Sequence, residues 1–154
     1  MRLHHIALAL IAALIGPPLH AETIDSAEKL VESMRKADMT YQELMAIMGE
    51  TISTMQKGVL TQNREMVSQA GQFIFNHPAP NRAPWKIMPD PDQGMFKASL
   101  LAYDPILDTQ TQAIIDSANA RDWIKASQAV ADLQNTCVAC HSQWQSKARL
   151  KGRI

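Results

Sequence analysis

The sequence predicts an all-α chain, an antiparallel four-helix bundle, and three observations carry that expectation. Apolar residues recur at steps of three and four over long stretches, glycine and proline fall between those stretches, and no window alternates apolar with polar residues for long. Amphipathic helices joined by short links bury their stripes most simply by packing side by side in up-and-down order.

The elements follow in order. Residues 25–57 place Leu30, Met34, Ala37, Tyr41, Leu44, Met45, Met48, Ile52 and Met55 on one stripe, which reads as a single long helix ended by Gly58. A second helix over 63–76 carries Met66, Ala70, Phe73 and His77 on its stripe. Pro78 stops it, because a residue before proline is pushed out of helical geometry. From His77 to Pro91 a proline-rich crossover has no helical rhythm and is long for a loop of this architecture.

The third helix, 92–119, uses Phe96, Leu100, Tyr103, Leu107, Ile114 and Ala118. Asp104-Pro105 interrupts it, either as a kink or as a capped fresh start with proline in the first turn. The fourth, 121–150, has the most regular stripe: Trp123, Ala126, Val130, Leu133, Cys137, Cys140 and Trp144 alternate three and four, so both cysteines face the core.

The first 21 residues stand apart. Arg2 precedes the apolar run Ile6 to Ile15, then Gly16-Pro17-Pro18 and Leu19-His20-Ala21, the pattern of a secretory signal peptide cut after Ala21. The run is shorter than the ~20 residues that span a bilayer; an uncleaved anchor is the alternative. What remains, 22–154, is one domain with enough chain for a single core. The whole chain has 15 Lys plus Arg and 15 Asp plus Glu, and the leader takes only Arg2, so the balance carries no bias toward nucleic acid.

The chemistry concentrates at Cys137-Val138-Ala139-Cys140-His141, which holds the only two cysteines. Two thiols three residues apart lie on one helix face about a turn apart, where they can reach the two vinyl groups of a porphyrin edge while the following imidazole meets the iron. This is the attachment signature of a covalent haem c, with Cys137 and Cys140 as thioether donors and His141 as axial ligand. A redox dithiol would sit beside a βαβ pattern, which is missing here, and a zinc site needs about four ligands. Export to an oxidising periplasm fits two thiols consumed by a cofactor.

A haem motif near the C-terminus, an aromatic three residues on at Trp144, and four helical stretches resemble the class II c-type cytochromes, the cytochrome c-prime group. Ala118-Asn119-Ala120-Arg121-Asp122 is similar to that family's Ala-rich turn ending in Asp, and Tyr41-Gln42-Glu43-Leu44-Met45 to its distal segment. The resemblance implies a haem between helices near one end of the bundle, a distal ligand or distal side chain at Met45, and paired chains in a homodimer. Gln42 and Gln145 stand where relatives carry basic residues, which weakens a gas-binding role.

The sixth iron position decides function. Met45 would complete His/Met coordination suited to electron transfer. Met48, one turn on, and His77 are rivals, and an open site is the remaining case; methionine also fills core gaps, and the chain has nine. The middle of the first helix is expected to line the distal side, with His77 and Trp85 nearby and the crossover over one haem edge.

Beyond Asp132 there is no acidic residue, while Lys147, Arg149, Lys151 and Arg153 alternate to the end, a basic patch that could steer an acidic redox partner. The expected function is a periplasmic carrier of single electrons between redox partner proteins, not an enzyme. The alternatives are a five-coordinate haem binding nitric oxide or carbon monoxide, and a haem subunit of a larger complex.

Overall fold

The computed structural model describes residues 24–151, without the side chains of 149–151, and the expected signal peptide therefore lies outside the described residues. Within them the chain is helical: α1 (Ala27–Ser33), α2 (Tyr41–Leu60), α3 (Arg64–Phe75), α4 (Gln93–Asn119) and α5 (Trp123–Lys151). Two strands of two residues each, β1 (Lys36–Ala37) and β2 (Ala79–Pro80), and two 3-10 turns, Pro84–Ile87 and Asp90–Asp92, complete it. No described helix is long and apolar enough to cross a membrane.

The single helix expected over 25–57 is two helices. Ser26 caps α1, its side chain accepting from the Lys29 amide, and the chain turns extended at Met34. Thr40 and Glu43 then form a reciprocal capping box that starts α2: the Thr40 hydroxyl accepts from the Glu43 amide at 3.1 Å and the Glu43 carboxylate from the Thr40 amide at 2.6 Å. That hydrogen bond to the Thr40 amide, reinforced by the Thr40 hydroxyl, holds the Glu43 carboxyl below the usual carboxylate range. Between the helices β1 pairs in parallel with β2, Arg35 accepting from the Ala79 amide at 2.9 Å and Ala37 from that of Asn81 at 3.2 Å. The strap at 34–40 is thereby tied to the crossover.

Gly58 does not end α2. The helix runs on to Leu60, and Gln62 takes the left-handed conformation, φ 55°, in the turn to α3. Gly58 is buried where α3 comes closest, and an added Cβ would stand 2.9 Å from Val67 Cγ2. The α3 boundaries agree with 63–76, with Asn63 as N-cap accepting from the Met66 amide and Asn76 as C-cap. Its buried line is Val67, Ala70, Gly71 and Ile74, rotated by about one residue from the expected stripe.

α4 passes Pro105 as one continuous helix, which resolves the alternatives at Asp104-Pro105 against a fresh start. α5 begins behind Arg121, φ 59°, with Asp122 accepting from the Lys125 amide at 3.0 Å. α2 packs against α3 and α5, and α4 against the same two, with α1 laid on α4.

Two apolar clusters result. The larger joins all of α2–α5 through residues such as Met55, Val67, Ile114 and Leu133. The smaller gathers Ala27, Trp85, Met88, Phe96 and Trp144, two of them from the crossover. There Trp144 donates to Ser99 Oγ at 3.1 Å and meets Phe96 edge-on at 5.4 Å.

Thr111 is fully buried, and its hydroxyl has no hydrogen-bond partner among the described residues. Removing an unpaired buried hydroxyl while keeping the shape relieves a desolvation penalty. Thr111→Val is therefore expected to gain about 1 kcal/mol and raise Tm by roughly 2–4 °C. A lower Tm by calorimetry would mean that the hydroxyl has found a partner.

Candidate functional site

The α5 stripe carries the site. Ala126, Val130 and Leu133 are buried, Cys137 and Cys140 are only half-buried, and Trp144 is buried again. The stripe keeps its period, so the change is in what faces it: helix neighbours cover both ends, and a partly open apolar cleft faces the middle. The cleft holds about 990 Å³ of space, its open mouth included.

Cys137, Cys140 and His141 all line it, from α5. Across it α2 contributes Tyr41, Leu44, Met45, Met48 and Gly49. Gly49, one turn beyond Met45, is exposed, and a Cβ there would meet no neighbouring atom. α1 adds Leu30 and Val31, the strap adds Met34, the crossover adds Ala79, Pro80 and Pro84, and α4 adds Leu100, Tyr103 and Leu107. The cleft also separates the two cores: Cys137 packs on the larger and Cys140 on the smaller, while Tyr41 touches both.

Every sequence-predicted site residue is thus in one place. Cys137, Cys140, His141 and Met45 share the cleft, with the rivals Met48 and His77 on the same walls. Met45 is half-buried, Met48 buried, and His141 exposed at the rim. His77 Nδ1 lies 3.2 Å from the Pro78 carbonyl. Trp85 differs from expectation: it is buried in the smaller cluster beneath Lys97, whose ammonium stands 4.8 Å from the ring centre, and does not line the cleft.

Lys147 also differs from the expected free basic patch. It pairs with Asp92 at 2.5 Å and lies over Trp144 at 4.9 Å, so its charge is spent within the fold. The side chains of Arg149, Lys151 and Arg153 lie outside the described residues.

Sequence reasoning missed several walls. Met34 had been placed on a helical stripe and enters the cleft from an extended strap instead. Asp104, read only as a cap, lines the cleft with His77 as its one polar corner of opposite charge. Burial, then the neighbouring Asp108, raises the Asp104 carboxyl above its ordinary range, and the His77 charge opposes that rise.

No known family, curated protein or solved structure matches the chain.

The electrostatics separate two readings of the cysteine pair. A disulfide oxidoreductase needs a thiol depressed in pKa, usually at a helix N-terminus. Here both cysteines sit some four turns inside α5, and burial raises both thiols, with Cys137 adding to the rise at Cys140. Burial also keeps the Tyr41 hydroxyl protonated far up the scale, the nearby Cys140 adding to the effect. Among the described residues no three His, Cys, Asp or Glu side chains converge as a zinc site would require.

In the haem-free chain, iodoacetamide should alkylate Cys137 and Cys140 slowly at pH 7 and faster only at alkaline pH, above the rate profile of an exposed thiol. Rapid alkylation at pH 7 would mean a depressed thiol and would return the dithiol reading.

Proposed function

We propose that the chain is a periplasmic c-type cytochrome of antiparallel four-helix-bundle form, carrying single electrons between redox partner proteins. The observation that carries the reading is that Cys137, Cys140 and His141 open into the same apolar cleft as the thioethers of α2. The signal-like leader agrees with export, and the resemblance to class II c-type cytochromes covers most of the remaining chain.

The residues fit a haem c. The cleft walls are nearly all apolar, as the walls of cofactor sites usually are. The donor set is also right: two thiols spaced for thioether bonds, an imidazole beside them, and a soft thioether across the cleft. When bound, the group supplies one-electron chemistry between two iron oxidation states.

The chain's own residues do the rest. Cys137 and Cys140 would fix the group to both cores at once, and His141 would supply a nitrogen to the iron. Met45, half-buried on the opposite wall, would be the second donor to the iron, with Met48 and His77 as its competitors. The apolar walls from strap, crossover and α2 exclude water, which favours the less charged reduced site and raises the potential. Tyr41, held protonated, keeps that wall uncharged.

The test is a haem stain on denaturing gels with absorption and EPR spectra of the purified protein and of Met45→Ala. A covalent haem lost in Cys137→Ser and Cys140→Ser, and a low-spin spectrum whose methionine-to-iron band disappears in Met45→Ala, are expected. Survival of the stain in both cysteine variants overturns the reading. A high-spin spectrum indifferent to Met45→Ala and shifted by nitric oxide replaces the electron carrier with a gas-binding haem.

A further inference from the structure

We infer that Asp104 is the internal counter-charge of the oxidised site: its carboxylate, set in the apolar cleft without a partner of its own, favours the more positive state of the bound group and lowers the reduction potential. The inference rests on the haem reading of the cleft and adds a residue that sets where its electron transfer is poised. It does not depend on which side chain is the second donor to the iron.

The placement comes from α4. Leu100, Asp104 and Leu107 line the cleft at steps of four and three, the spacing of one helix face. Because α4 passes Pro105 without a break, Asp104 keeps the register of an otherwise apolar stripe. Among the described residues no other Asp, Glu, Lys or Arg lines the cleft. A leucine would fill the position at less cost, since a carboxylate moved from water into apolar surroundings is penalised unless it is paired.

Nothing in the fold pairs it. The ion pairs Lys29–Asp25, Lys97–Glu28 and Lys147–Asp92 leave Asp104 out, and its side chain makes no hydrogen bond among the described residues. His77 lies in the same corner, where its charge would favour the carboxylate, but its Nδ1 is turned to the Pro78 carbonyl at 3.2 Å and it forms no ion pair with Asp104. Burial and the neighbouring Asp108 both work against the charge. A half-buried acid without a partner, aligned with the walls of a cleft, marks a functional group more than a structural one.

The missing partner is a positive charge that comes and goes with the electron. An iron porphyrin is more positive by one unit when ferric than when ferrous, so an anion in the same cleft stabilises the ferric state, the more so between apolar walls. At an effective dielectric of about 20, a unit charge about 10 Å away shifts a one-electron equilibrium by about tenfold. The apolar walls raise the potential and Asp104 draws it down; one electron enters or leaves, and no bond at Asp104 is made or broken. Asp108 is the natural control, because it is exposed and lines an outer groove beside Phe75 instead of the cleft.

The experiment is a spectroelectrochemical titration of the haem-loaded protein at pH 8. Asp104→Asn should shift the equilibrium with a fixed mediator about tenfold toward the reduced form, about 59 mV for one electron. Asp104→Ser should do the same and Asp104→Glu should stay near the wild type, so that the shift follows charge and not shape. Asp108→Asn should move it by a smaller amount. Denaturant unfolding gives a second measurement: Asp104→Asn should destabilise the ferric form relative to the ferrous form, by the same factor.

An unchanged potential in Asp104→Asn and Asp104→Ser, in variants that hold haem, overturns the counter-charge and leaves the haem reading intact. A shift in Asp104→Glu as large as in Asp104→Asn, or in Asp108→Asn as large as either, also overturns it, since packing or the general surface field would then be the cause. Absence of covalent haem in the wild type, read from the stain alone, overturns both.

Discussion

The constraint on which the rest depends is that two apolar cores stand on either side of a space that neither fills. Cys137 belongs to one and Cys140 to the other, one helical turn apart. Apolar walls around an open space lose both dispersion contacts and the benefit of burial. Leu44, Met45, Leu100 and Leu107 line that space, and an apolar guest would restore the contacts they lack. The same guest, bonded to both cysteines, would join the cores into one.

The strap and crossover exist to close that space from the side. Leu30 and Val31 reach the cleft from α1, and Met34 reaches it from the extended chain that follows Ser33. Extended backbone there needs partners for its amides and carbonyls, and the crossover supplies them through the Arg35–Ala79 and Ala37–Asn81 bonds. The prolines that deny helix to 78–91 are what make this possible, since they hold Ala79–Pro80 straight beside the strap. Two segments that would be irregular alone form one wall together.

Much of this was legible in the sequence, and the misses have local causes. α3, α4 and α5 were visible because their stripes are long and their ends carry Asn63, Pro78 and Asp122. The first helix was drawn too long because Met34, Ala37 and Tyr41 continue the helical spacing by coincidence, although Thr40 and Glu43 already spelled a capping box. Gly58 was read as a terminator because glycine commonly is one. Its real role, letting Val67 approach, depends on a helix that a one-dimensional pattern does not place beside it. The motif residues were legible outright, and the α5 stripe fixed which way they face. Which residues stand opposite was not, since that depends on the strap.

The high thiol pKa values bear on how the site is made. In the folded chain burial disfavours both thiolates, and both cysteines are half covered by the cleft walls. Addition of a sulfur across a vinyl group needs that sulfur reactive and the porphyrin edge beside it. On the haem reading, both thiols would react more readily before the cleft walls cover them, so attachment before closure of the strap is the expected order. The short ladder suits that order, because two residues of pairing between an extended strap and a proline-held strand are a weak seam. The guest, more than the seam, would then hold the wall shut.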